Sequence, residues 1–429
     1  MSMRSVADHR RIVDALLAPA LARRAATDPE VRAISDASVV GRVLAESLAS
    51  RDPLPPFDNS QMDGYAVRAA DLAGASASAP VELPIGRTTA AGDAPIVHLP
   101  GTASPVMTGA AIPIGADAVV PIERADPARF TVLSRAGDPD PTGTVRFASA
   151  PPRGEFVRAA GSDLPAASPL LPAGTRLTPA RIGLLASAGV AEVAVRPRPR
   201  ILLVTTGDEV VDPGAALEPG RIRDANTPML AAALREAGAE VTAVRVPDRP
   251  EALRALLAEQ ADAHELLVTS GGISMGAFEV VREALAGAGV DFTGIAMQPG
   301  GPQGAGLLRP EPGGASRPAA GIPALCFPGN PVSSWLSAEM FLLPALRAAA
   351  GRTASLPVEQ RELAHALDSP AAKHQVRRGW IDAQGRVHVT APGSHLLADL
   401  AAAEILAHVP VGVEHLDAGD TIEVWRLDV

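Results

Sequence analysis

At 429 residues the chain is too long for one ordinary core, and about two to four domains are expected. An apolar fraction of 47% with 20% charged residues marks a globular chain and excludes a disordered one. The 38 basic residues are outnumbered by 48 acidic ones, a formal charge of −10, which argues against a nucleic-acid partner because no basic face is evident to offset phosphate.

The N-terminus carries no apolar signal region, and no apolar span of about 18 residues free of charge and proline follows, so a cytoplasmic protein outside the membrane is expected. Val6 to Arg24 has apolar residues at helical spacing (Ile12, Val13, Leu16, Leu17, Leu21), with Pro19 bending or splitting the run. Val39 to Leu48 reads as a second, short amphipathic helix. Pro53 to Val67 is different in kind: prolines hold an extended entry, Asn59-Ser60 and Asp63-Gly64 form turns, and Tyr65-Ala66-Val67 returns to strand. Asp58 and Asp63 are candidate site carboxylates, with turn capping as the plainer reading.

Val81 to Phe147 consists of short β-like segments separated by Gly and Pro, which predicts an inserted β-rich domain. Within it Thr108, before Gly109, suits either an oxyanion contact or the closing of a turn. Ser134 to Glu155 reads as a surface loop, and Thr178 to Ala188 as a helix with Thr178 as N-cap and Pro179 in its first turn.

Residues 199 to 347 alternate strand and helix, which predicts a three-layer α/β domain with a largely parallel sheet. Ile201 to Val204 is a continuous apolar run that gives way to Thr205-Thr206-Gly207-Asp208-Glu209. Leu266 to Val268 runs likewise into Thr269-Ser270-Gly271-Gly272-Ile273-Ser274-Met275-Gly276, and Ala324 to Phe327 into Pro328-Gly329-Asn330-Pro331-Val332-Ser333. Each junction alone suits an ordinary βα turn. Three together suggest one sheet whose loops gather on one edge, where glycines and a helix N-terminus hold an anion. Cys326, the single cysteine, excludes an internal disulfide and suits a packed core thiol. Beyond Gly351-Arg352-Thr353 short strands predict a small β-barrel or sandwich.

Taken in order, Asp58 to Val67, Thr108 to Pro113, the Thr-Gly-Asp-Glu turn, Ser270 to Gly276 and Pro328 to Ser333 closely resemble the molybdopterin molybdenumtransferase family (MoeA and the E domain of gephyrin). The resemblance implies an elongated homodimer of four parts: a split part at 8–50 and 160–198, the inserted β-rich part at 51–159, the α/β part at 199–347 and a C-terminal β-barrel at 355–429. It also implies an active cleft between the α/β part of one subunit and the inserted part of the other. The implied reaction cleaves the phosphoanhydride of adenylylated molybdopterin with a divalent cation, Mg, inserts molybdate into the dithiolene and releases AMP. Contact with a molybdopterin adenylyltransferase is a further implied partnership.

Residue by residue, the resemblance assigns catalytic roles to Asp63, Glu209, Asp248 and Thr108, and metal ligation to Asp63, Glu209 and Asp224. Substrate contacts fall to Thr206, Asp224, Asn226, Ser270, Gly271, Gly272, Ser274, Pro328, Asn330, Pro331 and Asp163. Arg378, Ser394 and His395 match the molybdate-binding positions. One departure stands out. Relatives commonly carry Lys-Pro-Gly-Lys-Pro, whose lysines the resemblance places against molybdate, and here the element reads Gln298-Pro299-Gly300-Gly301-Pro302-Gln303. Oxyanion binding is therefore weaker, or rebuilt from arginines such as Arg309 or Arg377. Glu279 also stands where Asp is usual. Two other functions fit the same resemblance, a non-catalytic pterin-binding scaffold and a molybdopterin adenylyltransferase.

Overall fold

The computed structural model describes residues 3–274, 279–309 and 321–427. The chain forms two compact units, one comprising Met1–Ala45, Gly174–Thr178 and Val193–Val429, the other Glu46–Ala173 and Pro179–Glu192.

The first unit opens with α1 (Val6–Ala25). Its N-cap Ser5 accepts from the Asp8 amide at 3.0 Å, and Asp8 in the first turn and Arg23 and Arg24 in the last complement the helix dipole. The helix is not split at Pro19. Val13, Leu17 and Ala20 are buried along one face, and this packing outweighs the hydrogen bond that the proline removes. The short helix expected over Val39–Leu48 is not formed. Asp36 caps a single 3-10 turn, Ala37–Val39, Gly41 then takes a positive φ of 79°, and Val43 and Leu44 enter β-bridges with Arg176 and Val195.

The α/β layers follow in chain order as β1 (Arg200–Thr206), α2 (Asn226–Glu236), β2 (Glu240–Val246), α3 (Pro250–Gln260), β3 (Leu266–Ser270), α4 (Val280–Leu285), β4 (Val290–Gly294), β5 (Met297–Gln298), β6 (Pro302–Leu308), β7 (Ile322–Phe327), α5 (Pro331–Phe341) and α6 (Leu343–Ala349). Six of the strands form one sheet in the order β2-β1-β3-β7-β6-β4. The first four are parallel, β6 runs antiparallel to β7, and β4, antiparallel to β6, returns to the direction of the first four. Strand alternation divides the core. Ile201, Leu203, Leu266 and Val268 pack with α1, α2 and α5, whereas Leu202, Val204, Leu267 and Cys326 pack with α3 and α4. Each large side chain so buried contributes roughly 1.5–3 kcal/mol, and burial of Cys326 pushes its thiol up to about 12. At the C-terminal end of this layer Glu339, buried in α5, accepts a two-point contact from Arg347 of α6 at 2.6 and 2.7 Å.

Residues 290–298 divide between two sheets. Val290–Gly294 stays in the α/β sheet, while Met297 and Gln298 (β5) leave it to pair with the C-terminal sheet. That second sheet contains β8 (Val358–Glu362), β9 (His374–Ile381), β10 (Val387–Val389), β11 (Ile405–Val409) and β12 (Thr421–Arg426), in the order β5-β9-β11-β12-β8 with β10 on β9.

In the second unit, Gly64–Val67 is the centre of a three-stranded sheet between Ser104–Val106 and Ala118–Pro121. Another three-stranded sheet joins Val81–Pro84, Thr144–Phe147 and Ala125–Asp126. Tyr65 is fully buried with its ring edge-on to Phe130 and Phe147. The helix expected from Thr178 to Ala188 spans Pro179–Ser187. The chain is thus a multidomain α/β and β protein. Among the described residues no helix is long and apolar enough to cross a membrane.

Candidate functional site

The three junctions singled out in the sequence lie side by side. In the parallel register Thr205 pairs with Ser270 and Ser270 with Phe327, so the loops leaving β1, β3 and β7 emerge at one level of the sheet edge. A cleft of about 980 Å³ opens there, within the first unit.

Its floor is braced through Ser270. This hydroxyl accepts from Asn226 Nδ2 at 2.9 Å, lies 2.9 Å from Ser334 Oγ and 3.2 Å from the carbonyl of Pro328, and is buried. Ser270 therefore ties the start of α2, the end of β7 and α5 together, and it is not among the groups lining the cleft. Gly271 and Gly272, which do line it, have φ of 97° and 64°. A Cβ on Gly271 would lie 2.9 Å from Thr206 Oγ1, and one on Gly272 would lie 2.9 Å from Val280 and 3.0 Å from the Val281 amide. Both the backbone conformation and the space require glycine. The amides of Gly272 and Ile273 engage no acceptor among the described residues and border the cleft. Ser274 also lines it, its amide bonded to Glu279 Oε2 at 2.6 Å. Met275 and Gly276 of the expected motif lie outside the described residues.

Carboxylates occupy the β1 side. Glu209 is exposed at the cleft wall, and its carboxylate meets no donor among the described residues. Asp248 and Asp208 are joined reciprocally, the Asp208 amide donating to Asp248 Oδ2 at 2.9 Å and the Asp248 amide to Asp208 Oδ1 at 3.2 Å. Asp248 thus holds the β1 turn, and the N-cap of α3 is Arg249. Asp224 accepts from the Thr227 amide at 2.9 Å and from its hydroxyl at 2.6 Å, and Thr227 Oγ1 lies 2.8 Å from Thr205 Oγ1. Thr206, Asp224, Asn226 and Asp248 all face the cleft.

The opposite contributions come from the β7 loop and the C-terminal sheet. Pro328, Asn330 and Pro331 line the cleft beside Ser394 and His395, and Asn330 Nδ2 donates to Ser394 Oγ at 3.0 Å. Arg378 is fully buried and outside the lining. It donates to the carbonyls of Ala391 at 2.7 Å and Gly393 at 3.0 Å, while its Nε and Nη1 have no hydrogen-bond partner, and burial holds its pKa below the usual guanidinium value. Its position supports the loop that carries Ser394 and His395. Arg377 likewise donates to the Thr390 carbonyl, and neither Arg377 nor Arg309 lines the cleft. Gln303 is buried and ties Gly300 to Ser337 at 2.8 and 2.7 Å, so this amide fixes the turn rather than facing the cavity. Lys373 lines the cleft and was missed in the sequence, although its being the chain's single lysine was a legible signal.

The remaining predicted residues belong to the second unit. The exposed Asp63 accepts on one oxygen from both the amide and the hydroxyl of Thr108, at 2.6 and 2.7 Å. These two bonds, the amide first, hold its carboxyl below the usual carboxylate range. Asp58 accepts from the Ala160 amide at 2.7 Å, and the exposed Asp163 donates its own amide to Leu54 at 3.0 Å.

Known proteins match this chain along its whole length. The family model described as MoeA N-terminal region (domain I and II) covers residues 4–189, that of a probable molybdopterin binding domain covers 202–348, and that of the MoeA C-terminal region (domain IV) covers 360–427. Molybdopterin molybdenumtransferase 2 of Mycobacterium tuberculosis is 40% identical over 437 aligned residues, covering 99% of this chain and 100% of the relative. The molybdopterin molybdenumtransferase of Synechococcus elongatus is 36% identical, over 90% of this chain and 92% of its own. A crystal structure of a molybdopterin biosynthesis MoeA protein from Pyrococcus horikosii is similar with a TM-score of 0.74 and 28% identity, over 96% of this chain and 99% of that one. With all three family regions present in order and relatives of this identity matched end to end, the chain belongs to the MoeA family of molybdopterin molybdenumtransferases, enzymes of molybdenum cofactor biosynthesis.

Proposed function

We propose that the cleft binds adenylylated molybdopterin and molybdate, and that the chain cleaves the phosphoanhydride, inserts molybdenum into the dithiolene and releases AMP. The observation that carries this reading is the meeting, on one sheet edge, of a glycine turn with open amides and a wall of carboxylates. Amides of Gly272 and Ile273 suit phosphate oxygens, because preorganised donors stabilise charge as it builds on the cleaved linkage. Thr206 and Asn226, which line the cleft, orient the nucleotide portion in this reading, and Ser394 and His395, also on its lining, meet the oxyanion.

The residues fit a magnesium ion. Among the described residues no group of three or more His, Cys, Asp or Glu side chains is spaced to hold a metal alone. Magnesium, however, keeps several waters and binds through one or two carboxylates together with substrate phosphates. Glu209, with both oxygens open, would be the principal ligand, with Asp224 of the same cleft and Asp63 contributed across a homodimer. When bound, the ion supplies charge neutralisation at the phosphoanhydride. Asp248, through its bonds to Asp208, keeps the turn carrying Glu209 in place.

The four-part organisation, 8–50 with 160–198, 51–159, 199–347 and 355–429, is proposed with it. Closure of the C-terminal sheet into a barrel is supported by the bridge between Leu363 and Val387 and by the Ala364 amide donating to the Val387 carbonyl at 2.9 Å, which bring the β8 end to β10. A cytoplasmic homodimer that receives its substrate by contact with a molybdopterin adenylyltransferase completes the proposal.

The test is AMP release from adenylylated molybdopterin with molybdate and Mg. The wild type should release AMP, and Glu209→Gln should lower the rate by about 100-fold or more with an unchanged melting temperature. Wild-type protein that releases none from intact substrate would overturn the reading. Equal rescue of a deletion strain by the wild type and by Glu209→Ala would favour a non-catalytic scaffold instead.

A further inference from the structure

We propose that the C-terminal sheet carries a second binding site, a cavity that takes a small organic cation, an alkylguanidinium, with its charged head on Glu423. The cavity, of about 320 Å³, lies within the first unit and shares no lining residue with the cleft. Its size is at the small end of the range for small-molecule sites. Strand register builds it. Ala407 and Val409 of β11 and Ile422 and Val424 of β12 face the core of the C-terminal sheet. Alternation sends their neighbours to the other face. There Val376, Leu406 and Trp425 pack on the core of the α/β layers, and further along the face turns polar. His408 stands opposite Glu423, and Glu423 opposite Gln360 of β8. Thr421 lies two residues before Glu423, and His374 two before Val376, which pairs with His408. Nothing in the chemistry of the cleft uses this row.

The row is one of open acceptors. Glu423 Oε1 accepts from the Trp425 indole at 3.0 Å, and Oε2 meets no donor among the described residues. The side chains of Gln360 and Thr421 make no hydrogen bond among the described residues either. His408 Nδ1 lies 2.9 Å from His374 Nε2, while its own Nε2 is buried without a partner. With the shared proton on Nδ1, that Nε2 is a further acceptor. Burial holds both imidazoles below the usual histidine pKa, so neither supplies positive charge, and no lysine or arginine lines the cavity. A carboxylate without a cation, set among other acceptors, selects a cation rich in donors. Guanidinium has five N–H donors in a planar fork and no acceptor, which suits Glu423 together with the Gln360 carbonyl and the Thr421 hydroxyl. Pro410, Val413 and Leu416 form an apolar wall for the alkyl stem.

The test is calorimetric titration of the full-length protein with n-butylguanidinium chloride, with n-butylurea as the neutral counterpart. Butylguanidinium should bind saturably, at least about 10-fold more tightly than butylurea, and Glu423→Gln should weaken it about 10- to 100-fold. Glu209→Gln removes a carboxylate from the cleft and should leave this affinity within about twofold. Gln360→Arg, at an exposed position, plants a guanidinium opposite Glu423 and should abolish binding, which keeps the test open if Glu423→Gln does not fold. The ring resonances of His374 and His408 should move during the titration while those of His9 and His98 stay. Absence of saturable binding, equal binding of butylurea, wild-type affinity in Gln360→Arg, or loss in Glu209→Gln but not in Glu423→Gln would each overturn the proposal. Sedimentation at saturating butylguanidinium should show an unchanged oligomeric state. Dissociation would instead give the cavity to an arginine of a second copy and overturn the assignment to a small ligand.

Discussion

Asp63 and Thr108 are separated by more than forty positions, yet a single oxygen of the carboxylate receives both bonds that Thr108 can offer, leaving the second oxygen open. Hydrogen bonding to the charged form is what holds the pKa down, so this carboxylate stays a hard oxygen donor across the neutral range. Thr108→Val keeps the amide bond and removes the hydroxyl. The Asp63 pKa should then rise but remain below its ordinary value, because the amide is the larger influence. A carboxyl-carbon NMR titration that finds no change would show that the hydroxyl contributes nothing. In the sequence Thr108 suited either an oxyanion contact or a turn, and the structure gives it a third task, holding the acid next to it in space. Ser270 shows the same limit. Its neighbourhood read as a glycine loop suited to an anion, but its own hydroxyl is consumed in joining three loops, a partnership set by strand register and invisible in spacing.

At the scale of the element, β1, β3 and β7 were legible because strands buried on both faces spell continuous apolar runs, and those runs ended where the loops begin. β6 was not legible. Its Gly304 and Gly306 are imposed by close neighbours, a Cβ at Gly306 falling 2.1 Å from the Gly289 carbonyl, and glycines erase the strand signal. The 39–48 stretch misled in the opposite way, since apolar spacing suited a helix that Gly41 and the bridges of Val43 and Leu44 prevent. β11 carries a pH dependence that follows from its burial. His408 on this strand is pushed down to about 3, by burial first and then by the neighbouring His374, and its ring lies 4.1 Å from that of Trp425. The folded form thus refuses a proton that the unfolded chain accepts near pH 6.5. The stability present above that pH is lost progressively as pH falls from about 6.5 towards 3. His408→Phe should flatten this limb by up to about 1.4 kcal/mol per pH unit, the value of one proton. Urea midpoints measured from pH 7 to 4 check it, and parallel slopes for the two proteins would refute it.

On the scale of the whole molecule, the residues expected from the sequence are divided between the two units: Asp63, Thr108 and Asp163 in one, Glu209, Asp224, Asp248 and the glycine turn in the other. Motif order singled out both sets, but no spacing in a sequence says which copy of the chain completes which cleft. If the proposed homodimer draws Asp63 from one chain and Glu209 from the other, inactive variants become complementary. Asp63→Asn and Glu209→Gln homodimers would each lose AMP release, whereas a mixed dimer would combine both lesions in one cleft and leave the other intact. Random reassociation makes about half the dimers mixed, each with one good cleft of two, so activity should recover to about a quarter of wild type, with symmetry setting the ceiling. Should each cleft instead take both acids from a single chain, every cleft in the mixture would carry a lesion and no activity would return. Recovery after co-refolding or co-expression therefore separates the two arrangements, and a purified mixed dimer at about half the wild-type rate would fix the cleft count as well.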